Sequence, residues 1–387
     1  MTTQEIPKIL TRNFLLTCLA QFTFSIVYHI LIPTLPIYLS RFGSTEVEIG
    51  ILIGTLAVSS LIARPLVGRA LLNVPERDFM IAGALLFVFT SAAYLWASPF
   101  WPILVVRVLQ GIGFALFQTA SFTLIANASP EAHRGQNLSY FLLTFNLSSA
   151  LAPSLGMLLI NHFTFTILFL VCLGLSLCSV FVTHKLERRQ VAPSRDSSIE
   201  KGFLISREAL SPSLINFFAF FIWGAIAAFF PLYAINHGVA NPGLFFTTNA
   251  IMLILGRGLG GRILDRYSRE RIILPCLTTY ILSMVILAFS KTLPMFILVA
   301  VVWGIGHSVL VPSLMVYTLD RGGSSRSTAM GTFLAITDLG MSLGPVIMGM
   351  IIPLTSYRTM FLWLAFVGVI NLNYFYFFVR KRADRHE

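Results

Sequence analysis

The sequence predicts an all-α membrane protein in which twelve transmembrane helices form two six-helix bundles related by pseudo-two-fold symmetry. Three observations predict this fold: the composition, the number of long apolar runs, and a repeat between the two halves of the chain. Of the 387 residues, 56% are hydrophobic and only 11% are charged, whereas soluble domains carry about 25% charged residues. Because most of a soluble protein's surface is hydrated, this composition excludes an ordinary soluble enzyme, a disordered chain and a secreted disulfide scaffold.

Long apolar runs separated by polar breaks predict the individual helices, since about 20 apolar residues cross a bilayer. In the first half the runs predict helices at 14–39, 47–71, 79–98, 101–126, 138–160 and 163–185. In the second half they predict helices at 211–234, 242–263, 271–290, 293–318, 328–352 and 357–379. The polar stretch 186–210 predicts a cytoplasmic linker, so the N-terminal bundle is expected within 1–185 and the C-terminal bundle within 211–387.

The positions of the basic residues predict the orientation in the membrane. The formal net charge is +11, and 21 Lys and Arg residues fall on the side of the two termini, against only Arg41, Lys291 and Arg358 on the other side. Basic residues accumulate on the cytosolic side of membrane proteins. We therefore predict a multi-pass protein of the bacterial cytoplasmic (inner) membrane with both termini in the cytosol. This asymmetry explains the net charge without a nucleic-acid partner.

The two halves of the chain repeat one another. Residues 64–71 (RPLVGRAL) match 257–264 (RGLGGRIL), and 111–113 (GIG) match 304–306 (GIG), both at an offset of 193 residues. Matches in corresponding helices at a constant offset indicate two parallel six-helix repeats. Parallel repeats joined by a central linker are typical of secondary transporters, which bind their substrate between the repeats.

The loop after the eighth predicted helix carries a family resemblance. Residues 261–271 (GRILDRYSRER) are similar to the loop signature Gly-x-x-x-Asp-Arg-x-Gly-Arg-x-Arg of the major facilitator superfamily, with Ser268 in place of the second Gly. The first-half copy is degraded, because Leu72 stands where the Asp is expected and Pro75 where the Gly is expected. The resemblance implies a gate at the cytoplasmic loops. The predicted gate and loop residues are Arg64, Gly68, Arg69, Arg257, Gly261, Asp265, Arg266 and Arg269.

Two further motifs narrow the resemblance. The fourth helix contains Arg107-x-x-Gln110-Gly111, which is similar to the superfamily's Arg-x-x-Gln-Gly motif associated with proton coupling. The fifth helix resembles a weakened form of the Gly-Pro-x-x-Gly antiporter motif, and the eleventh carries a similar sequence; the residues are Pro153, Gly156, Gly344 and Pro345, where bends are expected. Together the motifs resemble drug/proton antiporters and the related sugar-efflux-like and metallophore-exporter-like permeases.

Two charged residues lie deep inside predicted helices. Asp338 is the only acidic residue near the middle of a span, and a carboxylate there is costly unless it is paired, hydrated or protonated. It is therefore either a proton-binding or cation-binding switch or a structural residue satisfied by the hydroxyls of Thr337 or Thr332. Arg107 either extends to the membrane surface or faces a cavity, where it binds an anionic group or a partner of the proton site.

Polar and aromatic residues near mid-depth are the candidates for a substrate cavity. They are Tyr28, His29, Gln110, Gln118, Trp223, Trp303 and His307. Aromatic rings with a few hydrogen-bonding groups suit an amphiphilic organic ligand, although each of these residues can also serve packing alone. The two isolated histidines lack a partner cluster, so no metal site and no cofactor is predicted.

The leading functional prediction is a monomeric secondary transporter that exports a small organic molecule by alternating access, driven by protons. The alternatives are proton-coupled or facilitated uptake of a small metabolite, and a non-transporting membrane receptor or scaffold. In the first half of the chain the sequence places a cation, Arg107, at membrane depth without an acidic residue to balance it. This favours an anionic, zwitterionic or metal-chelating ligand. The chain contains no phosphate-binding Gly-x-x-x-x-Gly-Lys-Ser/Thr loop and no catalytic motif, so neither ATP-driven pumping nor an enzyme is predicted.

Overall fold

A computed structural model describes residues 11–97, 100–129, 134–188, 206–266, 269–321 and 326–380 of the chain. Within these ranges it describes the backbone alone at 134–136, 139, 257–266, 269–271, 320–321, 326–328 and 380. Most of the predicted linker 186–210, namely 189–205, lies outside the described residues. The predicted bundle boundaries at 185 and 211 therefore stay predictions.

All twelve predicted helices are confirmed, with ends that differ by a few residues. The first six are α1 Arg12–Arg41, α2 Glu46–Ala70, α3 Glu76–Ala93, α4 Trp101–Ala128, α5 Arg134–His162 and α6 Phe165–His184. The second six are α7 Leu210–Asn236, α8 Gly243–Arg266, α9 Arg269–Phe289, α10 Leu293–Arg321, α11 Arg326–Ile351 and α12 Tyr357–Tyr374. Within the described ranges, ten helices are long and apolar enough to cross a membrane, and Gly243–Gly256 is a shorter apolar helix.

Hydroxyl side chains begin several helices. The Thr11, Thr164 and Ser356 side chains each accept a hydrogen bond from a backbone N–H in the first turn of the helix that follows. At α2 a complete capping box joins Thr45 and Glu48, since each side chain bonds the other residue's backbone N–H. These bonds satisfy N–H groups that have no partner within the helix, so the local sequence explains where these helices begin.

The helix pairings have the symmetry that the repeat predicts. In the first half α1 packs on α5, α2 on α4, and α3 on α4 and α6. In the second half the equivalent pairs recur: α7 packs on α11, α8 on α10, and α9 on α10 and α12. The two six-helix bundles then meet through α2 with α11, through α5 with α8, and through α1 with α7. The α2–α11 contact and the α5–α8 contact are equivalent under the pseudo-two-fold symmetry, because α2 corresponds to α8 and α11 to α5.

The chain has two distinct membrane faces. On one face α1 begins near the end of α6, where Asn13 Nδ2 donates to Glu187 Oε2 at 2.8 Å, and Arg188 pairs with Asp78 at the start of α3 at 2.8 Å. We call this face the basic side. The other face, called the opposite side, contains the end of α5, where Asn161 Nδ2 donates to the carbonyl of Ala240 before α8 at 2.7 Å.

Glycines bring the bundles together toward the opposite side. A Cβ atom at Gly54 of α2 would lie 2.5 Å from the Ser342 carbonyl oxygen of α11, and one at Gly349 of α11 would lie 2.6 Å from the Glu46 carbonyl oxygen of α2. A Cβ at Gly50 would likewise collide with the Pro345 carbonyl oxygen. We call Gly50, Gly54 and Gly349 the glycine seam. Small residues permit such close approach of helices, so the seam closes the interface between the bundles on the opposite side.

Candidate functional site

An ion pair joins the two bundles just beyond the glycine seam, toward the basic side. Arg64 of α2 places Nε 3.2 Å from Oδ2 of Asp338 in α11, and the two side chains are 28% and 18% exposed. Asp338 therefore faces a residue of the other bundle rather than lipid. Thr337, offered above as a structural partner, instead donates to the Phe333 carbonyl and accepts a bond from Asn216.

The geometry of this pair leaves the carboxylate incompletely satisfied. Nε of Arg64 also donates to Ser60 Oγ at 3.3 Å. Asp338 Oδ2 has no hydrogen-bond partner among the described residues. The pair is thus an electrostatic contact without a well-directed hydrogen bond, and a buried acceptor of this kind is costly to leave unpaired. A proton or a ligand cation can occupy Oδ2 without breaking a directed hydrogen bond to that atom.

Arg107 is a buried cation fixed to a neighbouring helix. It is 6% exposed; its Nε donates to the Leu52 carbonyl at 2.9 Å and its Nη2 to the Ile53 carbonyl at 3.1 Å. Its Nη1 donates to Gln110 Oε1 at 2.9 Å, an oxygen that also accepts from the Tyr94 hydroxyl at 3.1 Å. The ion pairs found within the described ranges do not include Arg107. Its side chain therefore does not extend to the membrane surface.

A cavity lies between the bundles beside these charges. It is lined by Tyr28, Leu31, Ile32, Ile53, Leu56, Ala57, Arg107, Ala227 and Met341, which come from α1, α2, α4, α7 and α11. Its volume is about 450 Å³, which includes open space at its mouth. Tyr28 lies within electrostatic reach of Arg107, Arg64 and Asp338, so the three charges surround one region.

The other polar candidates of the first half lie inside the N-terminal bundle. His29 Nδ1 is 2.8 Å from the Ser25 carbonyl and 3.0 Å from Ser148 Oγ, which places the ring between α1 and α5. Gln118 is buried, and its Oε1 has no hydrogen-bond partner within the described part of the chain. Neither residue lines the cavity described above. Their predicted contact with substrate stays a prediction.

The aromatic candidates of the second half form one stack. Trp303 of α10 lies on Tyr280 of α9 with ring centroids 4.0 Å apart and planes 13° apart. Trp223 and His307 follow at 6.1 Å and 5.8 Å from Trp303, with nearly parallel planes. Trp223 is one helical turn from Ala227, so the two share a face of α7, but no residue of the stack lines the cavity. The predicted contact of these aromatic residues with substrate stays a prediction. The sequence analysis missed Tyr280, because a tyrosine in an apolar run carries no signal of its own.

The predicted motifs of loops and bends are only partly described. Gly68 and Arg69 are exposed near the end of α2. The side chains of Arg257, Gly261, Asp265, Arg266 and Arg269 lie outside the described residues. The four predicted bend residues lie at contacts between helices: Gly156 against Ile30, Pro153 against Gly243, Gly344 against Phe221 and Pro345 against Gly50. Their roles in gating and bending stay predictions.

Comparisons with known proteins agree with this architecture. The chain matches the family model described as Major Facilitator Superfamily at residues 17–244 and 213–387. It is 25% identical over 341 residues to the staphylopine export protein of Staphylococcus aureus, covering 83% of this chain and 84% of the relative. It is 22% identical over 336 residues to the quinolone resistance protein NorA of the same species, with 83% and 84% covered.

A solved structure supports the same fold. The crystal structure of the nucleoside transporter NupG superposes with a TM-score of 0.78 at 16% identity, covering 94% of this chain and 98% of that chain. At this identity the likeness concerns the fold alone. The match of the family model spans both bundles, and the structure supplies the twelve helices and the interface between the bundles. The chain therefore belongs to the major facilitator superfamily and is a multi-pass membrane transporter, not an enzyme.

Proposed function

We propose that the protein exports small organic molecules across the bacterial cytoplasmic membrane in exchange for protons, as a monomer with its basic side and both termini in the cytosol. The names of two relatives, a staphylopine export protein and a quinolone resistance protein, support efflux. The excess of basic residues on one face supports the orientation. In this orientation the glycine seam closes the external side of the interface between the bundles.

The ion pair between Arg64 and Asp338 carries the proposal of proton coupling. It connects α2 of one bundle to α11 of the other at 3.2 Å, so its strength depends on how the bundles are arranged. A proton on Asp338 removes the attraction, and the positive charge of Arg64 in turn makes proton affinity depend on whether the pair is formed. A ligand shifts a two-state equilibrium only when its affinity differs between the states, and this pair provides that difference.

We expect Asp338→Asn to uncouple transport from the proton gradient. The test is transport of a fluorescent quinolone in proteoliposomes with and without an imposed pH gradient. The wild-type protein is expected to transport at least about tenfold faster with the gradient, equivalent to about 1.4 kcal/mol or more, and the variant is expected to show no acceleration. Asp78→Asn is the matched control, because Asp78 pairs with Arg188 at 2.8 Å within the first half of the chain and this pair does not join the two bundles.

Two outcomes would contradict the coupling proposal. One is wild-type transport that ignores the imposed gradient. The other is an Asp338→Asn protein that is accelerated by the gradient as much as the wild type and the Asp78→Asn control are.

A further inference from the structure

The region between the bundles combines a fixed cation, Arg107 in the lining of the cavity, with Asp338, an acid whose partner can be exchanged. Arg107 has five N–H donors, of which three are used by Leu52, Ile53 and Gln110. One N–H on each terminal nitrogen is left, and such cationic donors form charge-assisted hydrogen bonds to a carboxylate.

Asp338 lies at the other end of the same region. Met341 lines the cavity with Arg107, and Asp338 is three residues before it on the same face of α11. Along α2, Arg107 contacts the carbonyls of Leu52 and Ile53, whereas Ser60 lies about two turns further and its partner Arg64 about three turns further. At 1.5 Å per residue, Ser60 lies roughly 11 Å and Arg64 roughly 17 Å along α2 from these carbonyls, and Asp338 contacts Arg64.

We propose that the substrate is a zwitterion with well-separated charges, whose carboxylate binds Arg107 and whose cationic group binds Asp338 in place of Arg64. This inference rests on the proposed export function and names its substrate class. The body of the molecule lies in the open mouth beside Tyr28. An α-amino acid head group is too short to reach both charged side chains, because its ammonium and carboxylate are separated by one carbon atom.

The charge of the ligand determines whether its binding opposes or favours protonation of Asp338. A cationic group and a proton compete for the same carboxylate, so binding of the zwitterion opposes binding of the proton, as exchange requires. An anion bound at Arg107 alone would instead favour protonation of the nearby acid and would move together with the proton. The groups that interact electrostatically with Asp338 include Arg64 and Tyr28. Neighbouring α7 contributes the neutral Asn216, through Thr337.

Three matched probes test this inference by binding to the purified full-length protein. They are 4-(piperazin-1-yl)benzoate as the zwitterion, its methyl ester as the cation, and its N-acetyl derivative as the anion. Affinity is measured by calorimetry at about pH 5.5 and about pH 7.5, where the probes' own groups keep their charges. We expect the zwitterion to bind at least tenfold more tightly than either single-charge form. The affinities of the zwitterion and ester should fall at the lower pH, and the affinity of the N-acetyl form should rise.

Two variants test which residue binds each charged end of the zwitterionic probe. In the Arg107→Met variant the zwitterion should bind no more tightly than the ester. In the Asp338→Asn variant the zwitterion should bind no more tightly than the N-acetyl form. Arg188→Met, which removes an exposed ion pair, should change neither difference in affinity. If Arg107→Met does not fold, the opposite pH trends of the ester and N-acetyl probes still test the inference on the wild-type protein. Equal affinities for the three probes, no binding of the zwitterion, or the same pH trend for all three would overturn it. Transport of ethidium, a cation without a carboxylate, that still follows the pH gradient would then show that proton-coupled export stands without this substrate class.

Discussion

Spin labels at His162 and Asn236, on the opposite-side ends of α5 and α7, are expected to move apart when Gly54→Ala or Gly349→Ala enters the glycine seam. Each new Cβ atom would lie 2.5 Å or 2.6 Å from a backbone carbonyl oxygen of the facing helix, and neither backbone can yield without separating the bundles. Overpacking of this kind costs about 1–3 kcal/mol. This corresponds to roughly a 5- to 150-fold change in the ratio of closed to open populations, which double electron–electron resonance distances would measure.

The controls lie on the same two helices. Gly68 of α2 and Gly331 of α11 have nothing within 4 Å of the position of an added Cβ atom. Gly68→Ala and Gly331→Ala should therefore leave the distance distribution as in the wild type. A seam variant whose distribution matches these controls would show that the close approach of α2 and α11 does not hold the opposite side closed.

Trp303→Ala is expected to cost about 3–5 kcal/mol of stability, as the loss of a large buried aromatic side chain generally does. Trp303 is 0% exposed and lies between Tyr280 and Trp223 in the aromatic stack, so no neighbour can collapse into the space without breaking the stack. Its Nε1 has no hydrogen-bond partner among the described residues. Trp303→Phe should therefore cost much less, because it retains a stacked ring and removes an unsatisfied donor.

Unfolding in mixed micelles with increasing denaturing detergent would measure these differences. Trp363→Ala of α12 is the matched control: this side chain is 47% exposed, and its loss should cost about 1 kcal/mol or less. If Trp303→Ala and Trp363→Ala unfold at the same detergent fraction, the stack does not stabilise the C-terminal bundle.

The sequence was sufficient to predict the helices and their repeat. Apolar runs report bilayer crossing directly, and the repeated segments at 64–71 and 257–264 predicted the equivalent pairings of helices. The sequence also identified Asp338 and Arg107, because an ionised side chain at membrane depth costs so much free energy that it is expected to have a partner or a function.

The partners of these charges were beyond the reach of the sequence. Arg64 was interpreted as a gate residue by comparison with Arg257, whereas the structure places it 3.2 Å from Asp338. The two residues are far apart in the chain and belong to different bundles, and no local periodicity indicates which helices meet across the interface. Gly50, Gly54 and Gly349 were missed for the same reason, since a glycine in an apolar helix reveals its importance only when the facing backbone is known.

The closed seam has a consequence for energy conservation in the membrane. A carboxylate that is wetted from both aqueous compartments at once would let protons run down their gradient without any work being done. Asp338 lies immediately beyond the seam, so the packed backbones of α2 and α11 also insulate it from the far compartment. Any loosening of that packing is therefore expected to dissipate the cell's proton motive force as well as to alter transport.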